Sequence, residues 1–150
     1  MNRIATALIA TASALGLFAG CAAPAASGKD AKDAKDAKDA KDTEATLTIS
    51  LSRFPHVADH ARDAMASGES SVCTIDRPGA DKRRTDSLRG IATAKGQDRD
   101  EFPPAVCKEG GKGADVRLVP SSENRSEGAW MSGQLKKWPN GTRIKIAVGS

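Results

Sequence analysis

Aromatic residues are scarce in this chain of 150 residues, which has three Phe, two Trp and no Tyr. Cysteine is scarce too, with three residues, and no CxxC pair or group of histidines accompanies them. Since structural zinc sites are built from such clusters, the sequence does not support a zinc protein. The few aromatics also predict a small hydrophobic core, which is expected to need a covalent staple.

The sequence has no hydrophobic run of the length that a membrane span requires. Its longest run of apolar and small residues, 4–19, follows the cationic Arg3. This length and this flank are typical of a signal-peptide core. We therefore expect residues 1–20 to be a signal peptide and the protein to be exported.

The signal peptide ends in Phe-Ala-Gly, directly before Cys21. Small residues before a cysteine resemble the cleavage box of bacterial lipoproteins, although Phe18 stands where Leu is usual. We expect Cys21 to carry a lipid that holds the protein on the extracellular face of the cell membrane. The alternative is an ordinary secretory signal, cleaved near residues 22–26, and a secreted protein.

Residues 29–42 repeat Lys-Asp-Ala almost without interruption. This period matches neither a helix face nor a strand, and the repeat has no apolar residue larger than Ala. Its Lys and Asp charges cancel, so it is not a basic arm for nucleic acid. We expect residues 21–42 to be a disordered tether and residues 43–150 to form one folded domain.

The expected domain is mildly basic, with 17 of the chain's 23 Lys and Arg and 14 of its 19 Asp and Glu. This balance permits attraction to polyanions without requiring it. Its cysteines are Cys73 and Cys107, which the sequence predicts to pair in an oxidising compartment. Closing a loop of about 35 residues would contribute roughly 3–4 kcal/mol. Two free thiols or a metal-binding pair are the alternatives.

Hydrophobic periodicity predicts a small α+β domain with a mainly antiparallel sheet and two main helices. Strands are expected at residues 45–51, 72–75, 88–91, 114–119 and 142–148. The first helix is expected from Pro55 to Gly68, and the second from an N-cap at Ser121 or Ser122 to about Lys137. Residues 80–84 are expected to be a loop or a short turn of helix.

Three carboxylates, Asp98, Asp100 and Glu101, lie within four positions just ahead of an expected strand, with Arg99 between them. Asn124 follows at the start of the second helix. Carboxylate and amide oxygens suit a hard cation, an ionised carboxylate can take a proton from water, and guanidinium groups bind phosphate. The combination indicates metal-assisted phosphodiester hydrolysis. The acidic string alone would more simply be a solvated loop.

The other motifs of the domain do not predict a catalytic or binding role. The glycines of residues 110–113 are not a phosphate-binding loop, because a strand rather than a helix is expected after them. His56 and His60 are one helical turn apart without the Glu of a metalloprotease motif, so we expect core or surface roles. Glu127 shares a helix face with Asn124 and is a candidate second ligand, but a surface position is the simpler expectation. No nucleophile-elbow sequence is present.

The domain closely resembles the secreted bacterial deoxyribonucleases of the NucA/NucB family from about Leu51 to the C-terminus. The segments that carry the resemblance, with nearly the same spacing, are SRFP (52–55), VCTI (72–75), GADKRR (79–84), DRDE (98–101), EGGKGA (109–114) and SSENR (121–125). The resemblance implies a non-specific, metal-dependent DNA endonuclease related to the ββα-metal nucleases. It also implies a ββα unit around the active site, and the pairing of Cys73 with Cys107 agrees with it.

The resemblance also implies roles for residues. In the wider ββα-metal group the general base is a histidine on the first β segment, which this chain lacks. A carboxylate must therefore replace it, with Asp100 the first candidate and Glu101 the second. Asn124 and a carboxylate, Glu101 or Glu109, are expected to bind Mg²⁺ or Mn²⁺.

Basic residues complete the expected site. Arg99 and Arg125 are expected to steady the phosphate, and Lys112, Arg83 and Arg84 to contact the DNA backbone of a substrate bound by a monomer. The competing hypothesis is a non-catalytic DNA-binding lipoprotein for DNA uptake or adhesion. Such a protein would keep the basic residues but has no use for the acidic site.

Overall fold

The computed structural model describes residues 42–150, so the signal peptide, Cys21 and nearly all of the tether lie outside the described residues. Its elements in chain order are β1 (Ala45–Ser50), α1 (Pro55–Ala66), β2 (Val72–Thr74), α2 (Ala80–Ser87), β3 (Gln97–Phe102), β4 (Asp115–Pro120), α3 (Ser121–Leu135) and β5 (Arg143–Gly149). None of the helices in this part of the chain is long and apolar enough to cross a membrane. The predicted α+β class is confirmed.

A three-stranded sheet has the strand order β1–β5–β2. β5 runs parallel to β1, with Ala45 opposite Ile144, and antiparallel to β2, with Cys73 opposite Ile144. The parallel pair joins the first and last strands of the described chain, so all the other elements lie in the connection between them. Alternation within one strand does not reveal such a distant partner, and the sequence did not predict this pair.

The hydrophobic core lies between this sheet and α1. Alternation along the strands and helical spacing along α1 place apolar side chains in this core, among them Leu47, Ile49, Val57, Ala61, Ala64, Ile144 and Ile146. Burying one such Ile contributes about 1.5–3 kcal/mol. Cys73 and Cys107, 34 residues apart, form the predicted disulfide and tie β2 to the loop that precedes β4.

β3 and β4 form a separate antiparallel pair, from Gln97 opposite Pro120 to Phe102 opposite Asp115. α3 begins directly after β4, so these three elements are the predicted ββα unit. The N-cap of α3 is Pro120 rather than a serine. Ser121 instead donates a hydrogen bond to Asp98 at 2.8 Å, which fixes the first turn of α3 to β3.

Residues 80–87 form α2, so of the two alternatives for residues 80–84 the helical one holds, in a longer helix than expected. Other local predictions differ from the structure. Residues 88–91 form a turn in which Gly90 adopts a φ of 78°, rather than a strand. The acidic segment lies within β3 rather than ahead of a strand, since β4 pairs with it. α3 ends at Leu135, earlier than expected.

Candidate active site

β3 carries the acidic segment, and its alternation sends neighbouring side chains to opposite faces. Asp98 and Asp100 contact α3 and α1, whereas Arg99 and Glu101 contact α2 and the turn that follows it. The two carboxylates that the sequence offers as the base, Asp100 and Glu101, therefore have different surroundings.

A cavity of about 390 Å³ lies where β3 meets α3. It is lined by the predicted site residues Arg84, Arg99, Asp100, Glu101, Asn124 and Arg125. Asp98 and Glu127 line it as well. The acidic segment of β3 and the amide of α3, which are far apart in the sequence, thus share one cavity.

Asp98 holds the first turn of α3 against β3. Its carboxylate accepts hydrogen bonds from Nε and Nη2 of Arg125, at 2.9 and 3.2 Å, and from Ser121 Oγ at 2.8 Å. These bonds, that of Arg125 foremost, together with one from Asn124, keep the pKa of Asp98 below its usual value. Asp98 is therefore an ionised group that orients Arg125 and Asn124 beside the cavity.

Asp100 is bound by a buried histidine. His60 of α1 is 0% exposed, and its Nδ1 lies 2.7 Å from Asp100 Oδ2 while its Nε2 lies 2.8 Å from Asp115 Oδ1. Burial lowers the pKa of His60, but the hydrogen bonds and charges of the two aspartates outweigh burial, so the pKa is raised. The spacing of His60 from His56 did not reveal this contact, because the partners come from β3 and β4.

Glu101 is buried on the opposite face of β3. Ser87 Oγ donates a short hydrogen bond to its Oε2, and Arg84 Nε lies 3.5 Å from its Oε1. Both carboxylate oxygens are therefore engaged by α2. This arrangement favours Asp100 over Glu101 as the candidate base.

Glu127 is buried rather than at the surface, with 5% of its area exposed. No atom of residues 42–150 makes a hydrogen bond to its Oε1. Burial foremost, and then the charge of Asp100, raise the pKa of Glu127 to about 8. Its spacing of four and eight residues from Met131 and Leu135, the other buried residues of α3, is the sequence signal for this burial.

The cavity fits a divalent cation. A buried carboxylate oxygen without a partner is costly unless a cation or a proton completes it. Asn124, one helical turn before Glu127, contributes a neutral oxygen, and hard cations prefer such ligands. Residues 42–150 contain no group of three or more His, Cys, Asp or Glu arranged to hold a metal. The ligand set would therefore be mixed, with an amide beside the carboxylates.

Glu109 and Lys112, predicted as a metal ligand and a DNA contact, lie outside the lining of the cavity. Both oxygens of Glu109 accept hydrogen bonds from Thr74, one from its main-chain N at 2.7 Å and one from its Oγ1 at 2.6 Å. This carboxylate fastens the loop containing Cys107 to β2. Lys112 is exposed in the same loop. The structure therefore does not bring either residue to the predicted site.

Arg83, predicted to contact DNA, points into the protein. Its guanidinium donates to the Asp76 carboxylate at 2.7 Å and to the main-chain oxygen of Ala105 at 2.7 Å. A Cβ at Gly79 or Gly111 would lie 2.4 or 2.9 Å from the Arg83 side chain, so both glycines make room for it. Gly111 of the glycine-rich loop thus serves the packing of Arg83.

The model of the deoxyribonuclease NucA/NucB family matches residues 52–147, which include every element described above except β1 and the last two residues of β5. The chain belongs to the NucA/NucB family. The family match contains the entire cavity lining except Ile49.

A characterised relative agrees with this assignment. The DNA-entry nuclease of Bacillus subtilis (strain 168) is 43% identical over 105 residues, which cover 70% of this chain and 71% of that protein. The NucA/NucB resemblance inferred from the sequence motifs is therefore confirmed.

Proposed function

We propose that the chain hydrolyses phosphodiester bonds of DNA in the cavity between β3 and α3, with a divalent cation and with Asp100 as the general base. The observation that carries this proposal is Glu127, a buried carboxylate with an unpartnered oxygen beside an amide and a second carboxylate. The folded state is destabilised by such a group unless a cation or a proton neutralises it. Membership of a deoxyribonuclease family supports DNA as the substrate.

Asn124 and Glu127 would hold the cation, Mg²⁺ or Mn²⁺, because both prefer oxygen ligands. When bound, the cation supplies positive charge at the scissile phosphate and at the leaving oxygen. Asp100 takes the proton of the attacking water. Asp98 holds the first turn of α3, which carries Asn124, against β3 through its bonds to Ser121 and Arg125.

Three arginines around the cavity supply the phosphate contacts. Arg84 and Arg125 have side chains that are 64% and 75% exposed, and Arg99 is held by the main-chain oxygen of Ile91 at 3.0 Å. Contacts to phosphate carry no sequence information, so cleavage is expected at any DNA sequence. Binding is expected to weaken as salt is raised.

The proposed location follows from residues 1–42, outside the domain. Export, a lipid on Cys21 and a tether would place the nuclease domain, as a monomer, at the outer surface of the cell membrane. Mass spectrometry of the mature N-terminus tests this: a lipidated Cys21 supports the anchor, and an unmodified N-terminus near residues 22–26 supports secretion.

Cleavage of plasmid DNA by the full chain in mild detergent tests the activity. We expect nicking with Mg²⁺ or Mn²⁺, none with EDTA, and a loss of about 10²–10⁴-fold in Asp100→Ala. Asp59→Ala is the matched control, since Asp59 is an exposed carboxylate of α1 paired with Arg62.

The outcomes separate the alternatives. Full activity in Asp100→Ala would remove Asp100 from the role of base and leave Glu101. DNA binding without cleavage under any metal would instead support the non-catalytic DNA-binding lipoprotein.

A further inference from the structure

We propose that His60 is a positioning residue for the general base: it holds one oxygen of Asp100 so that the other faces the water to be activated. The inference rests on the proposed function of Asp100. His60 Nδ1 is 2.7 Å from Asp100 Oδ2. Within residues 42–150 Oδ1 of Asp100 makes no such bond, and Asp100 lines the cavity.

His60 cannot itself be the base. Its side chain is 0% exposed, and both ring nitrogens are within hydrogen-bond distance of carboxylate oxygens. A base must reach the proton that it removes, directly or through one water. His60 therefore acts on the substrate only through Asp100.

The two carboxylate contacts, together with the raised pKa of His60, favour a ring that carries a proton on both nitrogens. Ionised carboxylates only accept hydrogen bonds, whereas a neutral imidazole has one donor and one acceptor nitrogen. A ring that donates to both Asp100 and Asp115 must therefore be an imidazolium. Its positive charge lies beside Asp100, and it partly balances the repulsion between Asp100 and the nearby Glu127.

Asp115 fixes the ring from the far side. It belongs to β4, opposite Phe102 of β3 in the strand register, and its side chain is 44% exposed and lies outside the cavity lining. The ring thus bridges both strands of the ββα unit from α1. Rotation about χ2 would break both hydrogen bonds together, so the position of Asp100 is determined by a doubly anchored group.

The test compares two amide replacements in the full chain. An Asn amide occupies nearly the place of Nδ1, and a Gln amide occupies nearly the place of Nε2. His60→Asn therefore keeps a donor for Asp100, and His60→Gln keeps one for Asp115. The control is His56→Asn, because His56 is the chain's other histidine, lies on the same helix, binds Glu123 at 2.7 Å and is 62% exposed.

We expect His60→Gln to lower kcat for plasmid nicking by about 10²-fold, since misplacement by about 1 Å has effects of that size. His60→Asn should lose about tenfold at most, and KM should stay within about twofold in both. His56→Asn should match the wild type. Equal kcat in both His60 variants and the wild type, or equal losses in the two variants, would overturn the proposal.

A second measurement applies where the variants at residue 60 do not fold. Asp115→Asn keeps an oxygen acceptor for Nε2 and should retain kcat within about threefold, whereas Asp115→Ala frees the ring and should lose about tenfold. Equal activity of these two would overturn the proposal, as would a ¹⁵N NMR spectrum of the native protein in which His60 Nδ1 carries no proton. Absence of cleavage by the wild type would instead refute the proposed function.

Discussion

The three-stranded sheet and the β3–β4 pair both contact α1, but ionisable side chains are buried only around the β3–β4 pair. The sheet buries Ile49, Ile144 and Ile146, each at most 1% exposed. Around the β3–β4 pair, apolar residues such as Phe102 and Val119 are buried too, and beside them lie Glu101, Glu127 and, from α1, His60, none of them more than 7% exposed. Apolar burial stabilises the fold, whereas buried ionisable groups oppose it unless they are fully paired.

This difference indicates a division of roles within about a hundred residues. The sheet and its disulfide provide stability, which offsets the cost of the charged groups around the cavity. Glu127, with its unpartnered oxygen, is where that cost is greatest. Substitutions in the two regions should therefore change stability and activity in different combinations.

The largest expected effect is that of Glu127→Gln. Loss of a cation ligand should remove several kcal/mol of transition-state stabilisation, a decrease of at least about 10²-fold in kcat/KM. The same variant should be more stable than the wild type at pH 8 without metal, because it buries no charge. Plasmid nicking and urea unfolding measure both. The control is Glu109→Gln, at a carboxylate that binds Thr74, and this variant should be as active as the wild type. A loss of activity in Glu109→Gln as large as that in Glu127→Gln would contradict the assignment of Glu127 as a cation ligand.

Ile144→Ala should have the opposite pattern. Removing this buried side chain from the central strand should lower the free energy of unfolding by about 2–5 kcal/mol. Activity of the folded fraction should be unchanged, because Ile144 lies outside the cavity lining. Urea unfolding and nicking below the unfolding transition test this, with Lys145→Ala as the control on the same strand. A large fall in kcat of the folded protein would contradict the separation of stability and activity between the two regions.

Stability without metal should decrease as the pH rises. Glu127 has its pKa raised from 4.5 to about 8, so the folded state holds this proton more tightly than the unfolded state does. The resulting loss between pH 4.5 and pH 8 is about 2–4 kcal/mol. The raised pKa of His60 acts in the same direction above pH 6.5. Urea unfolding in EDTA should show this slope, and Glu127→Gln should flatten it. A wild-type protein whose metal-free stability rises between pH 4.5 and pH 8 would contradict this prediction.

Below pH 4.5 the slope should reverse. Asp98 and Glu123 have lowered pKa values, so they contribute stability that is lost as they become protonated. The metal-free protein should therefore be most stable near pH 5.

The smallest effects distinguish two neighbouring arginines. Arg84→Ala should lower kcat/KM by about tenfold through one lost phosphate contact, and it should lower the melting temperature less than Arg83→Ala does, since its pair with Glu101 is long and its side chain is 64% exposed. Arg83→Ala should mainly lower stability, by about 1–3 kcal/mol, because it leaves the buried partners of its guanidinium unpaired. Thermal unfolding and nicking of both variants test the contrast. The reverse pattern would place Arg83 rather than Arg84 at the substrate.

Local sequence patterns were sufficient for much of this description. Alternation within one strand is sufficient to explain why Asp100 and Glu101 face different sides, and the compartment and the cysteine count predicted the disulfide. Motif spacing identified the family. Each of these inferences depends on nearby residues or on a simple count, which the sequence displays directly.

The remaining features depend on contacts between distant segments. Arg83 and Arg84 are adjacent and chemically identical, and only the tertiary position of Asp76 and Ala105 makes one of them internal. His60 has two aspartate partners on two strands that α1 does not neighbour in sequence. Glu109 is a carboxylate of the kind that binds metal, but both of its oxygens accept hydrogen bonds from Thr74 instead. The burial of Glu127 differs from these, because its helical spacing from Met131 and Leu135 is visible in the sequence.

The position of β5 also has a consequence for biosynthesis. This strand is the last element of the chain, yet it lies between β1 and β2 and pairs with both. A polypeptide still missing residues 143–149 has neither ladder of the three-stranded sheet. Since contacts between distant segments must form before such a sheet exists, the nuclease cannot assemble its supporting half until the C-terminal segment has been synthesised. The domain therefore gains the sheet that supports its cavity only when its last strand is present.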